Sequence, residues 1–243
     1  MRMIELAALT APASESVGQA LRDVFTAGNT KFFLTGILTT LELSIVVVLI
    51  SILFGTILAV TRNYEKKIFG KVASVYVEIF RNTPLLLWIV GSVFLIPRNL
   101  IGSPMVRGGF GLMLYTSSVI SEIVRGGMNS IHNGQFEAAR SQGFTFVQTL
   151  LYIVLPQTFE RIIPSLMSQI VTTIKDTSFL AQVGIAEFFW KARNVMTGMS
   201  KNVIITSKHV FVIYIFVALV YFVINFSLSC VVRMMRRRVS VRQ

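Results

Sequence analysis

The chain has 243 residues, of which 53% are hydrophobic and only 14% are charged, well below the charged share of soluble domains. This composition excludes an ordinary soluble protein and predicts that a lipid bilayer surrounds most of the chain. The formal net charge of +12 does not predict nucleic-acid binding, because basic residues accumulate at the cytosolic ends of membrane spans.

Residues 1–30 contain no convincing secretory signal peptide, since Glu5 interrupts their short apolar stretch. The first long span is therefore expected to act as its own insertion signal. Apolar residues in this region recur at helical spacing, at Val17, Leu21, Val24 and Phe25. They predict a short amphipathic helix on the membrane surface, with a frayed tail as a nearly equal alternative.

Apolar runs of roughly 20 residues, the length that crosses a hydrocarbon core, recur along the chain. They predict five spans, at residues 32–60, 68–96, 109–124, 159–183 and 210–232. Pro84 lies inside the second span, and Pro164 is expected in the first turn of the fourth, where a missing N–H is tolerated. Between the second and third spans, Pro97, Gly102 and Pro104 predict a tight outer turn.

Lysine and arginine residues cluster beside span ends, at residues 62–71, 125–161 and 233–242. The positive-inside rule places these clusters in the cytosol, so the N-terminus lies outside and the C-terminus inside. The predicted fold is an all-α integral membrane protein with five transmembrane helices. It comprises an extracytoplasmic N-terminal segment, a membrane domain and a basic cytoplasmic tail, at residues 1–31, 32–233 and 234–243.

A short polar segment separates the third and fourth predicted spans. Glu137-Ala138-Ala139 is followed by Gly143 and then by Ile153-Val154-Leu155-Pro156. The two adjacent alanines predict a cytoplasmic helix with a low-profile face, and Gly143 permits a sharp exit because glycine tolerates positive φ. Such a helix either docks into a groove of a partner protein or simply joins two spans.

The fourth predicted span carries polar residues on one helical face, at Ser165, Gln169, Thr172 and Asp176. Lys175 is the neighbour of Asp176. Ionisable groups within a span are costly unless they face protein or water, so this face is predicted to line a solute path. The alternative is an ion pair that only fixes helix packing, either Asp176 with Arg81 or Lys175 with Glu78.

The second predicted span carries Glu78, Arg81 and Thr83 directly before Pro84. A proline inside a span kinks the helix and frees a carbonyl, which a membrane tolerates only where other groups satisfy it. The kink is a candidate point of polar solute contact. A packing kink with an arginine that snorkels to the interface is a comparable alternative.

Motifs of catalysis and metal binding are missing from the sequence: it has no phosphate-binding loop, no His-Glu-x-x-His and no Ser/His/Asp pattern. Cys230 is the one cysteine, and His132 and His209 stand alone in predicted loops. No catalytic, metal or cofactor site is therefore predicted, and transport energy must come from a partner or an ion gradient. In the third span, the face with Glu122 and Arg125 is predicted to serve packing.

Several motifs follow one another in a fixed order: Thr-Leu-Glu-Leu-Ser at 40–44, Glu-Ile-Phe-Arg-Asn-Thr-Pro-Leu-Leu-Leu at 78–87, Ser-Glu-Ile-Val-Arg-Gly-Gly-Met-Asn-Ser-Ile at 121–131, the Glu-Ala-Ala segment, Leu-Pro-Gln at 155–157 and Lys-Asp-Thr-Ser at 175–178. The set resembles the membrane subunits of bacterial ABC importers, in the branch that takes up polar amino acids such as histidine, glutamine, glutamate or arginine. Trp88, His132 and Ser168 depart from residues frequent in that branch, which leaves the identity of the substrate open.

The resemblance implies a multi-pass permease subunit of the bacterial cytoplasmic membrane. It implies a second permease copy or a sister permease, two ABC ATPase subunits that hold ATP and Mg²⁺, an extracytoplasmic solute-binding protein, and a polar amino acid as substrate, all within membrane lipid. Docking on the ATPase is carried over to Glu137, Ala138, Ala139 and Gly143, and the return of the chain into the fourth span to Ile153, Leu155 and Pro156.

Substrate contact is carried over from the resemblance to Asp176, Thr83 and Thr172. The whole predicted solute path comprises Asp176, Thr172, Gln169, Lys175, Thr83, Arg81 and Glu78. A different class of protein also fits these residues, namely an ion-coupled secondary carrier with Asp176 and Lys175 as its relay. A third alternative is a membrane scaffold that uses the polar loop for docking and transports nothing.

Overall fold

The computed structural model of the protein describes residues 16–65, 67–199 and 205–240. Within these ranges the chain is helical and has no strand, as predicted. The α-helices are α1 (Val17–Val24), α2 (Ala27–Tyr64), α3 (Ile68–Arg81), α4 (Leu85–Leu95), α5 (Pro104–Asn129), α6 (Gly134–Ser141), α7 (Phe146–Thr149), α8 (Leu155–Asp176), α9 (Phe188–Met199) and α10 (Ser207–Ser240). A π-helical turn at Leu150–Val154 precedes α8, and a 3₁₀ segment at Thr177–Val183 follows it.

Helix α5 lies at the centre of the bundle and packs against α2, α3, α4 and α8. Its buried positions include four small hydroxyl residues, Thr116, Ser117, Ser118 and Ser121. Small residues let helix backbones approach closely, which is the main source of helix association inside a membrane. At Gly55 of α2, an added Cβ would lie 2.7 Å from the Ser117 carbonyl oxygen, so α2 and α5 are nearly in backbone contact there.

Apolar side chains fill the spaces on either side of α5. Ala59, Val124 and Ile162 belong to a cluster between α2, α5 and α8, at the end from which the Glu137-Ala138-Ala139 helix leaves the bundle. A second cluster, which includes Phe33 and Phe188, joins α1, α2, α9 and α10. Much of the outer surface is also apolar, as at Leu34, Leu38, Ile45, Leu49 and Leu53 of α2, which suits contact with lipid.

Within the described residues, Ala27–Tyr64 and Ser207–Val231 are long and apolar enough to cross a membrane. A third crossing is added if α3 and α4 form one bent span. The five predicted crossings are therefore matched only in part by length and hydropathy, because α5 and α8 carry many polar residues.

The second predicted span, residues 68–96, is not one helix. It breaks into α3 and α4, which are bent by 105°. The proline expected to kink this span instead ends the first helix, since Pro84 has extended backbone angles and begins a new helix. Arg107 of α5 stabilises the far end of α4, because its buried guanidinium donates to the carbonyl oxygens of Val93 and Ile96.

The third and fourth predicted spans also differ from the structure at their ends. Helix α5 continues past Arg125, Gly126 and Gly127 to Asn129, so these residues do not close it. Helix α8 begins at Leu155, which places Pro164 inside the helix rather than in its first turn. The helical pattern then tightens into the 3₁₀ segment directly after Asp176.

At the N-terminal side, α1 confirms the predicted short helix, with Ser16 as its N-cap. Residues 1–15 lie outside the described part of the chain. Ala20 and Val24 of α1 are buried in the cluster with α9 and α10, so one face packs on the bundle. His209, predicted in a loop, instead lies fully buried in the first turn of α10, and its Nε2 is 3.4 Å from Asp23 of α1.

The closeness of α4 and α5 predicts that Gly111→Ala destabilises the protein. An added Cβ would lie 2.5 Å from the Trp88 carbonyl oxygen, so the helices must separate at a cost of about 1–3 kcal/mol. The measurement is the thermal unfolding midpoint of the purified protein in detergent.

Gly126→Ala is the matched control, because Gly126 lies in the same helix and its added Cβ would meet nothing within 4 Å. It should leave the midpoint unchanged or raise it slightly, since alanine forms helix better than glycine by about 1 kcal/mol. Equal midpoints for the two variants would contradict the packing described for α5.

Candidate functional site

The coupling segment, residues 135–156, begins within helix α6 (Gly134–Ser141), which ends in a defined capping motif. The N–H of Gly143 donates to the Arg140 carbonyl oxygen at 2.9 Å, and the N–H of Phe144 donates to the Ala139 carbonyl oxygen at 3.0 Å. Gly143 has φ of +81°, which confirms the sharp exit predicted for it. Thr145 then caps α7 through a reciprocal pair of hydrogen bonds with Gln148.

Side chains on α6 divide into an exposed face and a buried face. Glu137 and Ala138 are exposed, whereas Ala139 is buried. The small exposed side chain of Ala138 leaves a flat surface that a larger partner can cover. Ala139 instead packs against the rest of this chain, so the two predicted docking alanines face opposite environments.

The coupling segment is attached to the ends of three long helices. Tyr64, the last residue of α2, packs its ring against Phe136 and Phe146, with ring centroids 6.1 and 5.1 Å away. From α8, Arg161 donates to the Ser130 carbonyl oxygen at the end of α5, at 2.5 Å. These contacts place the coupling segment against the end of α2 and beside the junction of α5 and α8.

The return of the chain into the membrane domain runs through the π-helical turn at Leu150–Val154. The N–H of Leu155 donates to the Leu150 carbonyl oxygen, one residue further back than in an α-helix. Pro156 follows and has no N–H to donate, so the wider turn relieves the clash between its ring and the preceding turn. Ile153 and Leu155 are half-buried and Pro156 is exposed. The sequence reasoning missed this turn, for which Pro156 was the available signal.

The polar face predicted on the fourth span exists on α8. Ser165 is exposed, and Gln169, Thr172 and Asp176 are half-exposed. Behind them, Thr173 and Ile174 are buried against the bundle. Polar groups within a membrane span need water or a protein partner, and the single chain leaves this face of α8 without a covering helix. Lys175 is exposed beside it.

Between α3 and α4, Thr83 satisfies polar groups freed by the helix break. Its Oγ1 donates to the Ile79 carbonyl oxygen at 2.7 Å and accepts the indole N–H of Trp88 at 2.7 Å. Both hydrogen bonds hold the bend together. The structure therefore gives Thr83 a local structural role, in addition to any contact with solute predicted from the sequence.

Arg81 does not pair with Asp176 in the described structure, in contrast to the predicted alternative. Its partner is Glu122 of α5, at 3.6 Å. The same carboxylate pairs with Arg62 of α2 and, at 2.8 Å, with Arg125 of its own helix. We call these four residues the Glu122 cluster. The cluster joins α2, α3 and α5, which agrees with the packing role predicted for this face, and it leaves two positive charges in excess.

Among the described residues, Glu78 forms no ion pair with Lys175, in contrast to the other predicted alternative. It lines a cleft of about 460 Å³ together with Arg62, Lys71 and Ser74. The Ser74 hydroxyl accepts from Arg62 Nε at 3.3 Å. Glu78 and Arg81 therefore belong to the α2–α3–α5 corner, and the polar face of α8 is a separate part of the predicted path.

Sequence reasoning also missed Glu187, which lies in the loop before α9. Its side chain is completely buried, although glutamate almost never is without compensation. Because Glu187 lies outside every predicted span, its burial was not predicted. Among the described residues, no cluster of three or more His, Cys, Asp or Glu side chains is placed to hold a metal ion.

The chain is similar to known membrane transport proteins over most of its length. Residues 51–241 match the family described as the binding-protein-dependent transport system inner membrane component. A probable glutamine ABC transporter permease protein of Bacillus subtilis is 35% identical over 213 residues, which cover 87% of this chain and 94% of that protein.

Two further similarities extend across most of the chain. A glutamate/aspartate import permease protein of Escherichia coli O6:H1 is 31% identical over 218 residues, covering 85% of this chain and 93% of that protein. A crystal structure of an amino acid ABC transporter with histidines superimposes with a TM-score of 0.72 at 28% identity, covering 86% of this chain and 94% of that one.

The Glu122 cluster predicts that Glu122→Gln lowers stability. The Glu122 side chain is only 19% exposed. Loss of its negative charge leaves three guanidinium groups close together without a counter-charge, at a cost of about 1–3 kcal/mol. The measurement is the thermal unfolding midpoint in detergent at low salt, and added salt should reduce the difference from the natural protein.

Glu160→Gln is the control, because Glu160 is an exposed carboxylate on α8. Its midpoint should match that of the natural protein. If Glu122→Gln behaves like this control at low salt, the three ion pairs contribute nothing to the stability of the fold.

Proposed function

The chain belongs to the family of inner membrane components of binding-protein-dependent transport systems, and from that premise we propose that it is the permease subunit of an ATP-driven importer of polar amino acids. This family consists of transport permeases rather than catalytic enzymes. The observation that carries the proposal is the exposed helix α6, which contacts Tyr64 of α2 through Phe136 and accepts a hydrogen bond from Gln157 of α8 on Gln135 at 3.2 Å.

In the proposed topology the chain crosses the bacterial cytoplasmic membrane five times. The crossings are α2, the bent pair α3 and α4, α5, α8 and α10, with the N-terminus outside and the C-terminus in the cytosol. The positions of the basic clusters support this orientation, because they place residues 62–71 and the coupling segment on the same side. The apolar surface of α2 supports lipid contact.

The coupling segment transmits the motion of an ATPase to the membrane helices. The chain has no phosphate-binding loop, so ATP and Mg²⁺ are held by two partner ATPase subunits. Closure of those subunits displaces α6, and the aromatic contacts of Tyr64 pass the displacement to α2 as a rigid-body movement. Glu137, Ala138 and Gly143 form the docking face, and Ala139 anchors it from behind.

The solute path lies along the polar face of α8. Asp176 supplies an anionic group for the ammonium of an amino acid, and the half-exposed Thr172 and Gln169 add polar contacts. A second permease copy or a sister permease covers this face, since the single chain leaves it open. An extracytoplasmic solute-binding protein delivers the amino acid from the outside.

Docking of the ATPase is tested with Ala138→Arg. Because Ala138 is exposed, the substitution should leave the permease folded while its bulk and charge prevent a partner from covering α6. We expect loss of the ATPase subunits from the purified complex and loss of uptake in proteoliposomes. The measurements are co-purification and ATP-dependent uptake of a radiolabelled amino acid.

Ser103→Arg is the matched control. Ser103 is also exposed, but it lies in the loop directly before α5 and not on α6. It should retain both the ATPase and uptake. Normal assembly and uptake by Ala138→Arg would refute the proposed docking face.

The solute path is tested with Asp176→Asn in the complete reconstituted complex. Loss of the carboxylate removes a charge-assisted hydrogen bond, so uptake should fall about 10- to 100-fold while the complex still assembles. Unchanged uptake would show that Asp176 does not contact the solute. Uptake that follows an ion gradient without ATP and ATPase would instead establish a secondary carrier.

A further inference from the structure

Glu187 is a fully buried carboxylate that the solute path described above does not use. It forms no ion pair with any of the described residues, although several cations lie on neighbouring helices. An ionisable group buried without a counter-charge is costly unless hydrogen bonds replace its hydration. Its presence therefore calls for a set of donors around it.

Donors from three helices surround the carboxylate. Its Oε1 accepts the N–H of Trp190 in the first turn of α9 at 2.6 Å. Its Oε2 accepts the hydroxyl of Thr40 in α2 at 3.4 Å and the hydroxyl of Tyr221 in α10 at 3.2 Å. Glu187 thus connects α2, α9 and α10 through a single side chain.

All of these partner groups donate, so both carboxylate oxygens of Glu187 act as acceptors. Thr40 Oγ1 accepts the N–H of Phe188 at 3.1 Å and donates its own proton to Glu187 Oε2. An added Cβ at Gly36, one turn earlier in α2, would lie 2.9 Å from the Phe188 Cα. The start of α9 is therefore pressed against α2 and has little freedom to shift.

The contacts of Tyr221 reach the end of α8. Its hydroxyl lies close to the side chain of Thr177, which is completely buried. Thr177 follows Asp176 directly and is the residue where α8 tightens into the 3₁₀ segment. Its own Oγ1 donates to the Ile174 carbonyl oxygen at 2.8 Å, which fixes the last turn of α8.

We propose that Glu187 is a positioning residue for the solute path: through Tyr221 and Thr177 it holds the end of α8 so that Asp176 faces the passing solute. This inference rests on the proposed function and adds a residue to it. Glu187 does not touch the solute, since no part of its side chain is accessible. Its effect on transport is exerted through Asp176.

The substitution Glu187→Gln tests this role with little change in size. Its oxygen can still accept from Trp190, but an amide NH₂ then faces two hydroxyl groups that need an acceptor. The connection to Tyr221 and Thr177 is thereby weakened. Tyr221→Phe is a second variant, which removes the hydroxyl and leaves the carboxylate and the ring in place.

The experiment is a double-mutant cycle on uptake of a radiolabelled amino acid by the complete complex in proteoliposomes. Each variant is measured with Asp176 intact, with Asp176→Asn and with Asp176→Glu. Asp176→Glu keeps a carboxylate and therefore provides a background with partial uptake. We expect Glu187→Gln and Tyr221→Phe to lower uptake about tenfold when Asp176 is intact, and less than about twofold when it is replaced. Glu160→Gln should lower uptake in none of these backgrounds.

The alternatives give different results. A residue that only stabilises the fold lowers uptake by the same factor in all backgrounds, and that result overturns the inference while leaving the proposed function in place. Normal uptake by both variants with Asp176 intact also overturns it. Full uptake by Asp176→Asn refutes the proposed solute path itself, and with it the positioning role of Glu187.

Discussion

The close approach of α5 to its neighbours is the constraint on which the rest of the structure depends. Glycine and small hydroxyl residues at the contacts bring the α5 backbone next to those of α2 and α4. Inside a bilayer there is no hydrophobic force between apolar helices, so this fit is what assembles the bundle. A methyl group at Gly55 or Gly111 would meet a carbonyl oxygen of the neighbouring helix, which leaves these positions little tolerance for larger side chains.

Around α5, two buried or partly buried carboxylates join several helices through polar interactions. The Glu122 cluster joins α2, α3 and α5, and Glu187 joins α2, α9 and α10. Each consists of one carboxylate with several donors, so each links more elements than a simple ion pair does. Between them, α8 carries a polar face toward the outside of the single chain and the coupling segment at its beginning. These two carboxylates therefore connect several helices at single points.

Several sequence predictions describe local properties, and those held where the structure tests them. The positive φ of Gly143, the short helices α1 and α6, and the polar face of α8 follow from spacing and residue type alone. The errors concern boundaries. Pro84 was expected to kink one span and instead separates two helices, and Pro164 was placed at the start of a helix that begins at Leu155. A proline pattern shows that the helical hydrogen bonding is interrupted, but the groups that satisfy the freed backbone, such as Thr83, decide how the chain continues.

The sequence by itself determined that this protein is helical, lies in a membrane and presents a short polar helix between two of its long ones. These properties depend on hydropathy and on the conformational freedom of glycine, which are set by residues close together in the chain. Its ordered motifs also determined the family. Only the tertiary structure decided which charges meet. Arg81 pairs with Glu122 rather than Asp176, and Glu187 is buried among donors from three helices, because such contacts join residues far apart in the chain whose distance depends on the packing of α5.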